Sequence, residues 1–508
     1  MPPDRGVAPA SGTPGAGATP ERSTHGEDST QAERRIVIVA NRGPNEFVLE
    51  DGAWVARPAS GGLVSMLAPL ARQPNVSWVC CVSEPPGAAR ARRGLYTTAT
   101  DQTDPDLDIL PVPLPAEMYH AYYGQVSNEV LWMLQHNTVD PFGSEYLDER
   151  RHNAWERGYL VANARLAAAI AERVSTPALF LVQDYHLYPL PALLRERCPG
   201  MPILHFTHIP FPEPSVLKLL PRAWRETLLH GLLGADVVGF QTGRDVRAFL
   251  ACCEELLHRG VDRDRWTVRA DDDRVVRVRA FPASADPAAL RETMGSEAVA
   301  AARRRLSSDY GEQTVVRVDR LDPSKNQIVG FLAFGRLLEL RPDLRGRVRF
   351  LAFLVPSRTD LRIYRAYRDA VYRTIERINA RFAAECGGEP IRIFYTNDRE
   401  QALAAMADCD ALLVNSLADG MNLVAKEWAV VSERPGALIV SETAGVAEET
   451  EDSALLVSPL DVEGSARALA QALDMTTDER AVRLARLRSR VLEWTAAEWL
   501  AAQLAELG

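Results

Sequence analysis

Short apolar runs recur along the chain, each closed by a cluster of polar residues and most of them followed by a stretch with the spacing of a helix. Arg35 to Ala40 (RIVIVA) is the first, broken by Asn41, Arg42, Gly43 and Pro44. Ala178 to Val182 (ALFLV) ends in Gln183, Asp184, Tyr185 and His186. Pro202 to Phe206 ends at His208 to Pro212, and Asp236 to Phe240 at Gln241 and Thr242. Runs that do not alternate suit strands buried on both faces, so the pattern predicts a parallel sheet covered by helices. Its polar strand ends would mark the ligand edge. An alternating strand from Arg274 to Arg279 follows, and the Pro-rich turn FPASADP from Phe281 reads as an interdomain linker.

Beyond that turn a second series begins. Thr314 to Val318 leads into Asp319 to Lys325 and a helix over Gln327 to Leu338. Arg349 to Val355 leads into Pro356, Ser357 and Arg358 and a charged helix to about Ala384. Ile391 to Tyr395, Ala411 to Val414 and Ala437 to Val440 are further strands, and helices over 461–475 and 478–507 close the chain. In the first series, Gly61 and Gly62 precede a helix over Val64 to Leu70, a place where backbone can approach a ligand closely. Tyr119, Tyr122, Tyr123 and Trp132 form an aromatic stripe of the kind that fills cores. The expected architecture is α/β: two Rossmann-like doubly wound domains, 34–281 and 282–477, facing across a cleft.

A length of 508 residues also asks for two or three domains. Residues 1–33 are rich in Pro, Gly, Ala, Ser and Thr and read as a disordered tail. The net charge of −10, with no basic block to offset it, argues against a general nucleic-acid binder. No apolar run is long enough to span a bilayer and the start lacks the order of a signal peptide, so a cytoplasmic enzyme is expected. The seven cysteines lack CxxC spacing, which points to reduced thiols and neither zinc nor a disulfide framework. Oligomeric state is left open, a homo-oligomer included.

The candidate chemistry gathers on Ala418 to Glu427 (ADGMNLVAKE), between a buried strand and a helix over Leu423 to Val431. Asp419 and Gly420 make the turn, Met421, Asn422 and Leu423 open the helix, and Glu427 projects back toward the same mouth. A helix N-terminus here suits a phosphate, although the segment alone reads first as an ordinary Asp-Gly turn. Its partners reverse that preference. Arg320 and Lys325 share one strand-end loop and could grip a diphosphate, with Arg358 at the next strand end. Asp184 and His208 would face them from the other domain.

VQDYHL, THIPFP, VDRLDPSK, PSR and DGMNLVAKE, in this order and separation, resemble the glycosyltransferase family of trehalose-6-phosphate synthase, from about residue 35 to the C-terminus. The resemblance implies a GT-B fold whose last helix, within 478–508, crosses back onto the first domain. It implies transfer of glucose with retention from a nucleotide diphosphate glucose to glucose 6-phosphate, with no metal and no cofactor. Arg320 and Lys325 would hold the donor diphosphate, with Gly61, Gly62, Asn326, Gly420, Met421 and the amides around Asn422 and Leu423 nearby. Glu427 would take the ribose and Asp419 the hydroxyls of the transferred glucose. Arg42, Tyr123 and Arg358 would meet the acceptor phosphate with Trp132 beside it, Asp184 the acceptor hydroxyls and His208 the donor sugar.

Five departures from the family pattern stand out. Gln183 replaces a His, Cys81 a Trp, Asn326 a Gly and Ala418 an Arg, and the linker around Pro282 is altered. Related pseudo-glycosyltransferases that make validoxylamine phosphate share the Lys-Asn pair and look like users of GDP-linked donors. The expected donor therefore tilts toward GDP-glucose, with UDP-glucose otherwise. Arg42, Gly61, Gly62 and Arg358 speak against a C–N-forming pseudo-glycosyltransferase. Retention of both half-sites speaks against a non-catalytic sugar-phosphate sensor.

Overall fold

Apolar strands that cannot alternate need cover on both faces, and the chain supplies it twice. The structure is a computed structural model that describes residues 34–50, 53–58, 62–84, 107–139, 147–174 and 177–507. The tail expected over 1–33 and the glycine Gly61 lie outside these. The first lobe contains β1 (Arg35–Ala40), a separate hairpin of β2 (Asn45–Glu50) and β3 (Ala53–Pro58), then β4 (Val76–Glu84), β5 (Asp108–Pro115), β6 (Ala178–Gln183), β7 (Ile203–Phe206) and β8 (Val237–Phe240). It is completed by β9 (Val261–Asp262), β10 (Thr267–Arg269) and β11 (Val275–Ala280). The sheet order is β5-β4-β1-β6-β7-β8-β11-β10-β9, parallel except at β9 and β10.

The second lobe holds β12 (Gln313–Arg320), β13 (Val348–Val355), β14 (Ile391–Phe394), β15 (Ala411–Val414), β16 (Ala437–Ser441) and β17 (Ala454–Val457). All six are parallel, in the order β14-β13-β12-β15-β16-β17. In both sheets the chain winds outward from one strand and then returns to its other side. The reversals fall between β1 and β6 and between β12 and β15, and such reversals open crevices at the carboxyl ends of the strands. Arg42, Asp184, Arg320 and Asp419 stand at or just beyond those four ends.

Apolar side chains pack both faces of each sheet. The final helical region is not one element, as expected over 478–507, but two. Thr477–Glu493 buries Leu484, Leu487 and Val491 in the second lobe. A capping box of Thr495 and Glu498 then starts a new helix, Ala496–Ala505, and this one crosses to the first lobe, where Trp499 is fully buried. The segment Glu117 to Asn137 is helical from Ala116 to Gln135, with a π-helical middle from His120 to Trp132. Among the described residues no helix is long and apolar enough to cross a membrane. All seven cysteines are free and buried.

Candidate functional site

The end of β1 places Arg42 where its guanidinium donates to the Tyr123 hydroxyl at 2.9 Å, and Tyr123 stacks on His186 with ring centroids 5.6 Å apart. Burial would push the Tyr123 hydroxyl up, yet Arg42 and Arg358 together bring it below the usual tyrosine range. Trp132 lies between two partners: the Arg358 guanidinium is 4.0 Å from its ring and the His136 ring 3.9 Å away. Arg320 sits 5.1 Å from the same ring. Because Arg358 and Arg320 belong to the second lobe and Trp132 to the first, this stack bridges the cleft. Arg358 also donates to Tyr185 at 3.4 Å and to the Tyr364 hydroxyl, and pairs with the fully buried Asp322 at 3.0 Å. Arg42 and Tyr123 are thus joined to Trp132 and Arg358, all four expected around one phosphate, through His186 and the Tyr185 ring 3.9 Å from it.

On the second lobe Lys325 and Asp419 form a close ion pair, and the same carboxylate oxygen accepts from Ser416 at 3.2 Å and Asn422 at 3.1 Å. Burial alone would raise the Asp419 carboxyl, but Lys325 outweighs it and holds the group below its ordinary range. Asn422 caps the helix Leu423–Val431 by accepting from the Ala425 amide at 3.1 Å, with a backbone φ of 103°. At Gly420 a Cβ would run into the carbonyl oxygen of His208, so only glycine lets the two lobes meet there. The Met421 carbonyl accepts from the Val446 amide at 2.8 Å.

Asp184 has φ 76° and ψ 168°, a conformation that costs a non-glycine residue about 1–3 kcal/mol. It aims the carboxylate at the His208 amide, which donates to it at 3.1 Å. Burial pushes the Asp184 carboxyl up to about 6, against the lowering pull of the His208 and Tyr185 amides and of Arg358 and Arg320. Burial also lowers His208 to about 3, leaving its ring neutral at pH 7. Both cations thus act on Asp184 from across the cleft. In the ligand-free protein the Asp184 carboxyl is expected to titrate near pH 6 by carbon NMR. Because the folded value lies above the ordinary 3.8, this group adds stability below pH 4 and loses it as pH rises to 6. A midpoint below 4 would remove the burial argument.

Glu427 accepts from Arg399 at 3.2 Å, and burial raises its carboxyl. Gly62 starts the helix Gly62–Ala71. Asn326 uses its amide to tie two other strand ends together, donating to the carbonyls of Asn415, just after β15, at 3.0 Å and of Pro459, just after β17, at 2.6 Å. Residues not anticipated complete the site: Asp322, Tyr185 and Tyr364 anchor Arg358, and His136 backs Trp132. Asp322 lies two residues after Arg320 and His136 one helical turn after Trp132, which is the signal that would have found them. Lys426 is spent on architecture, donating to the Ala283 carbonyl at 2.7 Å and pairing with Glu449 at 2.7 Å. Among the described residues no group of three or more His, Cys, Asp or Glu could hold a metal ion.

Residues 34–508 match the family model of glycosyltransferase family 20. The chain is 32% identical over 504 residues to the trehalose-6-phosphate synthase of Mycobacterium avium, covering 96% of each chain. Two solved structures are similar throughout. One is an α,α-trehalose-phosphate synthase (UDP-forming) from Burkholderia xenovorans in complex with glucose-6-phosphate, at 30% identity and TM-score 0.79, covering 93% of this chain and 99% of that one. The other, from E. coli and bound with UDP-2-fluoro glucose, has 29% identity and TM-score 0.77, covering 93% and 98%.

Proposed function

The chain belongs to glycosyltransferase family 20, and from this premise we propose that it transfers glucose from UDP-glucose to glucose 6-phosphate, giving α,α-trehalose 6-phosphate. It is a retaining glycosyltransferase of GT-B fold, with its two parallel sheets presenting their switch points to one cleft. One observation carries the reading: the Arg358–Trp132–Arg320 stack spans the cleft between Asp184 on one wall and the Lys325–Asp419 pair on the other. That brings a cationic grip for a leaving diphosphate within reach of a carboxylate suited to acceptor hydroxyls. Asp184 would orient the acceptor while Arg320 and Lys325 take up charge on the diphosphate. The sugar C1–O bond to phosphate breaks as the new C1–O bond forms on the same face, and the acceptor proton passes to the departing phosphate oxygen. Asp419, already engaged by Lys325, Ser416 and Asn422, is held for binding the transferred sugar.

The tilt toward GDP-glucose finds no support. Similar structures carry UDP in their names, and the departures that suggested it have local accounts. Asn326 has φ 57° and ψ 41°, a left-handed conformation that Asn tolerates better than most residues. Ala418 is buried. Asn326→Gly is therefore expected to leave the ratio of UDP- to GDP-glucose turnover within about twofold, since it trades two neutral hydrogen bonds for backbone freedom. A reversal of donor preference, read from initial rates, would return that residue to the base site. The main test incubates the protein with glucose 6-phosphate and GDP-, UDP- or ADP-glucose and follows nucleotide release and product mass. Absence of a sugar phosphate product with every donor would overturn the assignment.

A further inference from the structure

Gln183 is fully buried at the end of β6, beside Asp184. Its Oε1 lies 2.9 Å from Nε2 of His208, while its own Nε2 is sealed from solvent without a hydrogen-bond partner. A carbonyl oxygen only accepts. With the amide oxygen on this side, His208 carries its ring proton on Nε2 and Nδ1 is left as the acceptor. The backbone of His208 is fixed as well: its amide donates to Asp184 at 3.1 Å and its carbonyl accepts from Gln241 at 3.3 Å. Phe206 at 4.6 Å and Trp499 at 6.1 Å flank the ring. Nδ1 of His208 makes no hydrogen bond among the described residues, and the residue keeps partial exposure to solvent.

We infer that Gln183 is a positioning residue that locks His208 in its Nε2–H tautomer, so that Nδ1 meets a sugar hydroxyl as a hydrogen-bond acceptor. This deepens the transferase reading and rests on it for the identity of the ligand. A ring that can only accept at its open nitrogen orients the hydroxyl proton toward itself and turns the hydroxyl lone pairs to the rest of the site. Uncharged at neutral pH, the ring adds no cation to a cleft that already holds Arg320, Lys325 and Arg358.

The tautomer is read directly by long-range proton–nitrogen NMR on protein labelled at histidine, with the His208 signals assigned by their loss in His208→Asn. Wild type is expected to show a protonated Nε2 and a bare Nδ1. Gln183→Leu, close in size but without the oxygen, is expected to mix the two tautomers. Loss of one oriented hydrogen bond should lower kcat about tenfold, with KM for glucose 6-phosphate within about twofold. Gln183→Glu, which keeps an oxygen in place, should keep the Nε2–H form and more of the turnover than Gln183→Leu. A wild-type ring protonated on Nδ1, or a Gln183→Leu protein with unchanged tautomer and turnover, would overturn the proposal. Since the tautomer is measured without substrates, its failure is separable from failure of the transferase reading, which would appear as a wild-type protein inactive with every donor.

Discussion

Arg320→Ala is expected to lower kcat by about 10²–10³-fold, the usual effect of removing one preorganised group that stabilises developing charge. Arg320 closes β12 at the switch point of the second sheet, and its exposed guanidinium rests 5.1 Å from the Trp132 ring. Among the described residues it forms no direct ion pair, and it lowers the buried Asp322 only behind Arg358, unlike Lys325, which is paired closely with Asp419. Folding should therefore tolerate the change, at the cost of an exposed cation–π contact of about 0.5–1 kcal/mol. Lys325→Ala is a poorer probe, because it would leave Asp419 buried without its cation. Steady-state rates with saturating substrates, alongside thermal unfolding, check the prediction. Near-normal turnover in a stable Arg320→Ala protein would mean that the diphosphate is held elsewhere.

Sequence alone was enough for the strands that hold this site, because β1, β6 and β15 are buried on both faces and read as apolar runs, as does β12 apart from the buried Arg317. It missed β5, whose sequence DILPVPLP carries prolines at 111, 113 and 115. Those prolines are tolerated because β5 is the edge of its sheet and pairs only with β4. The break at Trp494 was missed for another reason. Both flanking segments have helical spacing, and the one mark that divides them, the Thr495-x-x-Glu498 capping box, is a short signal that the continuous spacing overrode. Asn326 was misleading in a related way: its identity answers to a left-handed backbone and two carbonyls, which no motif comparison displays. Strand-end position thus found the groups near the ligand edge, while the partners that consume or free their hydrogen bonds come from distant segments.

Arg358 shows what that difference does to an expected phenotype. As a strand-end cation its removal would simply raise KM for glucose 6-phosphate. The structure adds a second effect, since Arg358 is the salt-bridge partner of Asp322, a carboxylate with no solvent exposure. Removing one member of such a pair typically costs about 3–5 kcal/mol, a large share of the roughly 5–15 kcal/mol that holds a protein folded. Arg358→Ala should therefore unfold at a clearly lower urea concentration at pH 7. The pH dependence fixes the cause. Burial alone would raise Asp322, but Arg358 foremost, with Arg320 and His136, holds it at about 2. Its folded value thus lies below the ordinary 3.8, so the stabilisation is complete above pH 4 and is lost as pH falls toward 2. Without the guanidinium the Asp322 carboxyl should titrate higher, and the deficit of Arg358→Ala should shrink as pH falls and the group takes a proton. Adding Asp322→Asn removes the orphaned charge, so the double variant should regain much of the lost stability. It should not regain affinity for glucose 6-phosphate, because the acceptor phosphate would still lack its cation. Recovery of both in the double variant would reduce Arg358 to a purely structural residue and leave the acceptor phosphate to Arg42 and Tyr123.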